Sequence, residues 1–441
     1  MNPDSADGEP ASENASTNET ESELSRLLPV DRRDLLNTMG AAVVFSGRGE
    51  RMPASDWRSD FSSGSEALVD TSGRVGTVVD TDGERALVGT RVADGPAGTG
   101  PGLVSVYRSV ETGWARTGTL VEEDGPGGFG ESVAVSGASA VVGADYDTRE
   151  GGVVSGSATV FLLRDGEWRR SRKLGPTDPI GMERFGAAVA VDDETILVGA
   201  PTEMTEARVG GGAVSVFTVA EDDIVRHSKI VPDDDIERFG RALAVDDDTA
   251  VVGGVLDRST VTNSGAAIVY RRSGERWTRE TRLTPAETDR DDKFGTTVAV
   301  DRDTVVVGAP SETNANGSNA GAAYVFQRAG TRWHRRRLLA PDGTSDERLG
   351  TGVAIEGDRI LVGAEYGGEP DTNGLIPSGR TYVFDRRGGS STWTASDDDG
   401  PGQQATHLGT AVAIGSGTGI VTADGSERTN GPDGVIDVFE L

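Results

Sequence analysis

One grammar recurs seven times along the chain, and that repetition constrains the fold more than any other feature. Its first anchor is a glycine that follows a large apolar residue: Gly76, Gly130, Gly186, Gly240, Gly295, Gly350 and Gly409, at gaps of 54 to 59 residues. Phenylalanine precedes it in four units, as Phe129, Phe185, Phe239 and Phe294. A second glycine follows thirteen residues later, as Gly89, Gly143, Gly199, Gly253, Gly308 and Gly363, with Thr422 in the last unit. A third stands five residues before an aromatic, as in Gly212 and Phe217 or Gly265 and Tyr270. Seven residues beyond that aromatic come Trp114, Trp168, Trp277 and Trp333; Ile224 takes the place in the third unit, and Trp393 arrives two residues late in the sixth.

Each unit holds four short β-branched or alternating runs separated by turn residues, the pattern of a four-stranded antiparallel meander. One such sheet cannot bury both faces and leaves its edges open. Radial packing of several sheets solves both problems, so the expected fold is all-β, a seven-bladed β-propeller. The innermost strand, such as Gly186 to Val191, is rich in small residues because seven strands crowd one axis. The outer strand carries the tryptophans because the wedge between blades widens outward. The anchor glycines are read as structural, placed where a Cβ would collide.

Phe185-Gly186 with Gly199-Ala200-Pro201, and Phe294-Gly295 with Gly308-Ala309-Pro310, resemble FG-GAP repeats. The likeness covers residues 68 to 441 and is closest to the bacterial and archaeal subtype. The resemblance implies the propeller of integrin α heads and a role in extracellular binding or adhesion. It implies no defined chemistry. Calcium-binding members carry an Asp-rich loop between the first two strands. Here those links are short, as in Asp192-Asp193-Glu194, and a calcium ion needs about six or more oxygens. Calcium is therefore not carried over.

Composition narrows the function. With 72 acidic and 43 basic residues the formal net charge is −29, which excludes nucleic-acid binding through phosphates. Only Lys173, Lys229 and Lys293 are lysines, and abundant Asp with scarce Lys resembles salt-adapted surfaces. No cysteine occurs, so disulfides, thiolate zinc sites and Cys nucleophiles are out. No apolar run is long enough for a transmembrane span. Links 2–3 and 4–1 of each blade are long and leave from one face, which makes that acidic face the expected binding surface for a protein or glycan. Asp145, Asp147, Asp233, Asp234 and Asp235 are the candidates there for a divalent cation. No catalytic residue is assigned: His227 and His334 fall on separate outer strands, and His407 begins the last unit. The alternatives are a hydrolase using loop carboxylates with a divalent cation, or a structural envelope component.

Three regions are expected. Residues 1–30 form an acidic leader whose composition cannot build a core. Residues 31–50 resemble a twin-arginine export signal, with Arg32 and Arg33 before a short apolar stretch, Gly40 to Phe45, that also matches the repeat's third strand. Residues 51–441 form the propeller. Export would place the protein outside the cell or on its surface; without it the protein is cytoplasmic. The seventh unit ends at Leu441 without an outer strand, and residues 57–68 are expected to supply one. Deleting residues 51–70 then exposes a sheet edge, and the deletion protein is expected to aggregate and melt lower than the full chain in light scattering and thermal unfolding.

Overall fold

The computed structural model describes residues 42–44, 74–91, 102–111, 113–122, 127–148, 152–205, 210–220, 223–232, 236–254, 256–257, 264–285, 291–368, 379–386, 393–399, 407–424 and 434–441. They form a seven-bladed β-propeller, with no helix among them. Blade three shows the pattern: Ala188–Asp192, Thr195–Ala200, Ala213–Ala220 and Asp223–Ile230 pair antiparallel in sequence order. The first six blades span 74–120, 129–174, 188–230, 242–283, 298–338 and 349–399. The seventh has three described strands, Leu408–Gly415, Thr418–Asp424 and Gly434–Glu440.

The first strand of each blade touches the first strand of the next, and that of blade seven touches that of blade one. These strands therefore surround the axis and the ring is closed. The strand proposed to complete blade seven, residues 57–68, lies outside the described residues. Of the stretch 31–50, Ala42–Val44 is described; it runs antiparallel to Gly113–Leu120, outside the fourth strand of blade one. It is thus an addition to an outer edge and not a third strand.

The anchors are joints between blades. At each Phe-Gly the aromatic is buried: Phe129, Phe185, Phe239 and Phe294 are at most 1% exposed. Each meets the third-strand aromatic of its own blade edge to face, as Phe185 does Phe217 at 6.4 Å and Phe239 does Tyr270 at 6.1 Å. The next residue, glycine, has φ near +87° at positions 186, 240 and 295, a conformation that a side chain disfavours. Its carbonyl then lies against the second-strand glycine of the preceding blade. A Cβ on Gly199 would sit 2.0 Å from the Gly240 oxygen, and one on Gly308 would sit 2.2 Å from the Gly350 oxygen. The third-strand glycine is equally confined: a parallel bridge joins Gly212 to Phe239 of the next blade.

Apolar side chains fill the wedges so formed. Val160 and Leu174 of blade two share a core with Phe185, Ile196 and Phe217 of blade three. Tryptophans close the outside, and strand-three arginines cover several of them, such as Arg328 over Trp333 at 4.7 Å. The large aromatic payload thus lies between blades, each fully buried Phe contributing about 1.5–3 kcal/mol.

Two glycine-to-alanine variants separate joint from ornament. Gly199→Ala drives a carbon into the blade-four backbone and is expected to lower unfolding stability by about 3 kcal/mol or more. Gly118→Ala, on an outer strand with nothing within 4 Å, is expected to change stability by about 0.5 kcal/mol or less. Chemical denaturation of both variants checks the contrast.

Candidate functional site

The links between strands separate the two faces. Links 1–2 hold two or three residues, for example 193–194, whereas links 2–3 run from 201 to 212 in blade three and 310 to 321 in blade five. The long 2–3 and 4–1 links leave from the same face.

Where link 4–1 enters the innermost strand, the same residue order recurs: Glu183-Arg184-Phe185-Gly186, Glu237-Arg238-Phe239-Gly240, Asp292-Lys293-Phe294-Gly295 and Glu347-Arg348-Leu349-Gly350. The acid is buried in three of the quartets, as Glu183, Asp292 and Glu347, and half-buried in the fourth, as Glu237. Glu183 is 1% exposed and accepts the N–H groups of Ile180 and Gly181 at 2.5 and 2.7 Å. Glu347 accepts the Thr344 N–H at 2.8 Å and the Tyr382 hydroxyl at 2.6 Å. The following base has a positive φ, between 56° and 60° at Arg184, Arg238, Lys293 and Arg348. That backbone turn sends the base outward: Arg238, Lys293 and Arg348 are exposed and Arg184 is half-buried. His407 holds the same position in blade seven, φ 62°, edge-on to Tyr366. Blades three to seven therefore each place a base at the mouth of the ring on the long-link face, whereas blade two has Gly128 there, and the loop sequences further out are acidic.

Arg184 bonds to Asp145, with Nε to Oδ2 at 2.9 Å, and lies 5.0 Å over the Tyr146 ring. Arg348 stacks at 4.5 Å on Tyr366 and lies 3.7 Å from Glu365. Arg241, one residue past the blade-four anchor, is half-buried; burial lowers its pKa first, and Arg184 lowers it further.

Apolar side chains stand exposed beside these bases. Ile180 is 61% exposed, Met182 70% and Met204 50%, with Tyr146 at 41%. Met182 has φ 65° and donates its N–H to the Val154 carbonyl, which fixes the 4–1 link against the 2–3 link of blade two.

Asp145 and Asp147 both lie on the blade-two 2–3 link and are buried, each held by its own cation, Arg184 and Lys173. Asp147 Oδ2 accepts from Lys173 at 2.7 Å and from the Ser157 hydroxyl at 2.6 Å. The same link position holds Glu203, bonded to Lys229, and Glu312, 3.1 Å from Arg337 and 2.6 Å from the Tyr324 hydroxyl. These pairs tie the base of the 2–3 link to the fourth strand in blades two, three and five. Asp233, Asp234 and Asp235 lie outside the described residues. Among the described residues no three His, Asp or Glu side chains converge as metal ligands do. His227 and His334 stand on outer strands of blades three and five.

The opposite rim uses its acids differently. In blades one to six the sixth residue past the anchor glycine accepts a backbone N–H from the next blade: Asp82 from Gly137 at 3.1 Å, Ser136 from Asp193 at 3.1 Å and Asp192 from Asp247 at 2.7 Å. Asp246 accepts from Arg302, Asp301 from Gly357, and Glu356 from Ser416 and Gly417. A recess of about 560 Å³ lies there, lined by Ser136, Arg164, Asp192, Asp247 and Arg272. Arg272 is engaged with Thr195 at 2.7 Å and Asp248 at 3.0 Å. Carboxylates of this rim are joints between blades.

A family model described as FG-GAP repeat matches residues 114–161, 168–217, 225–270, 277–326 and 334–384. Each match runs from the outer strand of one blade through three strands of the next, so the family unit straddles the joints described above. No curated protein matches the chain.

Asp80 carries a pH signature. It accepts the Val135 N–H from blade two at 2.8 Å, and burial pushes its pKa up to about 7, with Asp82 adding repulsion. A raised folded-state value means that ionisation opposes folding. The native state is favoured fully below the ordinary value of 3.8 and loses that advantage as pH climbs to about 7. Asp80→Asn keeps an acceptor for Val135 and cannot ionise. Its melting temperature minus that of the parent is expected to increase between pH 4 and pH 7 and to level off above, as thermal scans across pH would record.

Proposed function

The chain belongs to the FG-GAP repeat family, and on that premise we propose that it is a secreted or cell-surface binding module. It engages a protein or glycan ligand through the face built by the 2–3 and 4–1 links. The observation that carries this reading is the asymmetry of the two faces. Short hairpins on one rim lock neighbouring blades together, whereas the long links rise from the other rim, those between strands two and three of blades two, three and five being tied down by ion pairs. Variable links on rigid elements are the usual place for recognition. Exposed apolar and aromatic side chains gather on that same face, which suits a ligand surface better than a solvated one.

Arg32 and Arg33 and the apolar stretch after them support export as a folded protein. A ring closed by its last blade packing on its first suits a route that carries folded cargo.

Cell fractionation tests the reading. The native chain is expected in the envelope or medium, and Arg32→Lys/Arg33→Lys is expected to stay in the cytosol. Recovery of both proteins from the cytosol alone would overturn it.

A further inference from the structure

On the rim of short hairpins the blades can be compared position by position. In blades one to six a third-strand residue donates its N–H, at 2.8 Å, to the carbonyl of the last residue of the 1–2 link: Ser109 to Glu84, Leu163 to Ala138, Val219 to Glu194, Arg272 to Asp248, Arg328 to Asp303 and Arg386 to Asp358. That shared bond makes the two positions equivalent in every blade. In blades four, five and six they hold an arginine and an aspartate, and the side chains pair: Arg272 with Asp248 at 3.0 Å, Arg328 with Asp303 at 3.6 Å and Arg386 Nε with Asp358 at 2.7 Å. The same arginines lie over the fourth-strand Trp277, Trp333 and Trp393, at 5.7, 4.7 and 5.3 Å. Arg272 also reaches the preceding blade, where its Nη1 donates to the Thr195 hydroxyl at 2.7 Å.

Blade three keeps the acid and lacks the base. Val219 stands in the arginine's place, opposite Ile224 in the tryptophan's, and the exposed Glu194 has no cationic partner among the described residues. Ser139 opens the second strand of blade two as Thr195 opens that of blade three. It is 6% exposed, and its hydroxyl has no partner among the described residues. Both groups line the recess of about 560 Å³ on this rim, together with Leu162 and Val219. The recess thus gathers the counterparts of the two groups that hold Arg272, an acid and a hydroxyl, beside apolar side chains. Asp192, Asp193 and Asp247 line it too, and of its two bases Arg272 is already bonded and Arg164 is not free.

We propose that this recess docks an arginine side chain of a partner polypeptide, in the role that blades four to six fill from their own third strand. The guanidinium donates to Glu194 and to the Ser139 hydroxyl, and the methylenes above it cover Leu162 and Val219. The lining acids and the net charge of −29 favour the approach of a basic segment. Arginine suits the place better than lysine, because its planar fork reaches a carboxylate and a hydroxyl together whereas an ammonium is a point charge. The recess lies on the rim opposite the long links, so the inference goes beyond the binding face proposed above and does not depend on it.

Three fluorescein-labelled peptides of glycine and serine, identical except for one central Arg, Lys or Gln, test it by polarisation. The full chain is titrated to about 1 mM in about 0.15 M salt, which screens attraction by distant charges. The Arg peptide is expected to bind about tenfold more tightly than the Lys and Gln peptides. Glu194→Gln removes the free acid from an exposed position, and Val219→Arg supplies from within the arginine that sister blades carry. Both are expected to keep the parent's circular dichroism and to weaken Arg-peptide binding about tenfold. If Val219→Arg misfolds, Glu194→Gln alone decides. Equal binding of the Arg and Lys peptides, no binding of the Arg peptide, or Arg-peptide binding unmoved by either folded variant would each overturn the proposal. Cell fractionation does not bear on this site, so either reading can fail while the other stands.

Discussion

Everything in this ring depends on backbone meeting backbone at the blade joints. The anchor glycine in its left-handed conformation turns its carbonyl toward the second-strand glycine of the preceding blade, and a Cβ on Gly143, Gly199 or Gly363 would come within 2.0 Å of that oxygen. Such an approach leaves no tolerance for a side chain. It fixes the spacing of the innermost strands, and the apolar wedge further out then follows from geometry. Phe185 can fill the gap beside Phe217 because the glycine after it has already set the angle at which the blades meet. The rim carboxylates add a second set of joints along the same seams, and each satisfies a hairpin N–H that would otherwise depend on solvent.

The seam between blades seven and one is built differently. Thr422 takes the place of the second-strand glycine and is fully buried. Gly415 takes the place of the rim acid, so it has no carboxylate to offer the blade-one hairpin; the Gly83 N–H turns instead to the Thr81 hydroxyl at 3.0 Å. Apolar contact replaces both devices. Ile420 packs with Ala86, Val88, Tyr107 and Trp114, with Ile436 and Val438 against them. Closure therefore combines this apolar packing with a backbone contact at the rim, where a Cβ on Gly415 would sit 2.7 Å from the Gly83 nitrogen.

What the sequence disclosed follows from which constraints are local. Glycine spacing is a steric demand at a fixed offset, so seven units, their strand order and the shortness of the 1–2 links were all readable from Gly130, Gly186, Gly240 and their counterparts. The division of the faces followed from link lengths. The basic ring was equally present in the letters, in Glu183-Arg184, Glu237-Arg238, Asp292-Lys293 and Glu347-Arg348, but its meaning was not. Adjacent opposite charges sum to nothing in composition, and only the positive φ at the base decides that the acid is buried and the base faces out. Asp145 and Asp147 looked like free loop carboxylates for the same reason: Lys173 and Arg184, which hold them, lie 26 and 39 residues away. The exposed Met182 was hidden by a different ambiguity, since an apolar residue near an anchor reads as core, as Ile236 in fact is at the equivalent position of blade four.

Burying acids and exposing bases around one mouth changes what a net charge of −29 means. Glu183 and Glu347 are neutralised locally by backbone N–H groups and a tyrosine hydroxyl, so their field is partly answered inside the protein. The bases beside them face water, where a ligand arrives. Total charge governs solubility and long-range repulsion, which fall away beyond about 10 Å at 0.1 M salt. Inside that distance the order of charges along the surface decides what can approach. A scaffold that repeats one hairpin plan places such a reversal at its axis, because the residue two before the anchor glycine is carried to the same radius by the same joint in blades three to seven. The repetition is broken at Arg241, where blades five to seven carry threonine, and at Met182, where blades five and six carry aspartate.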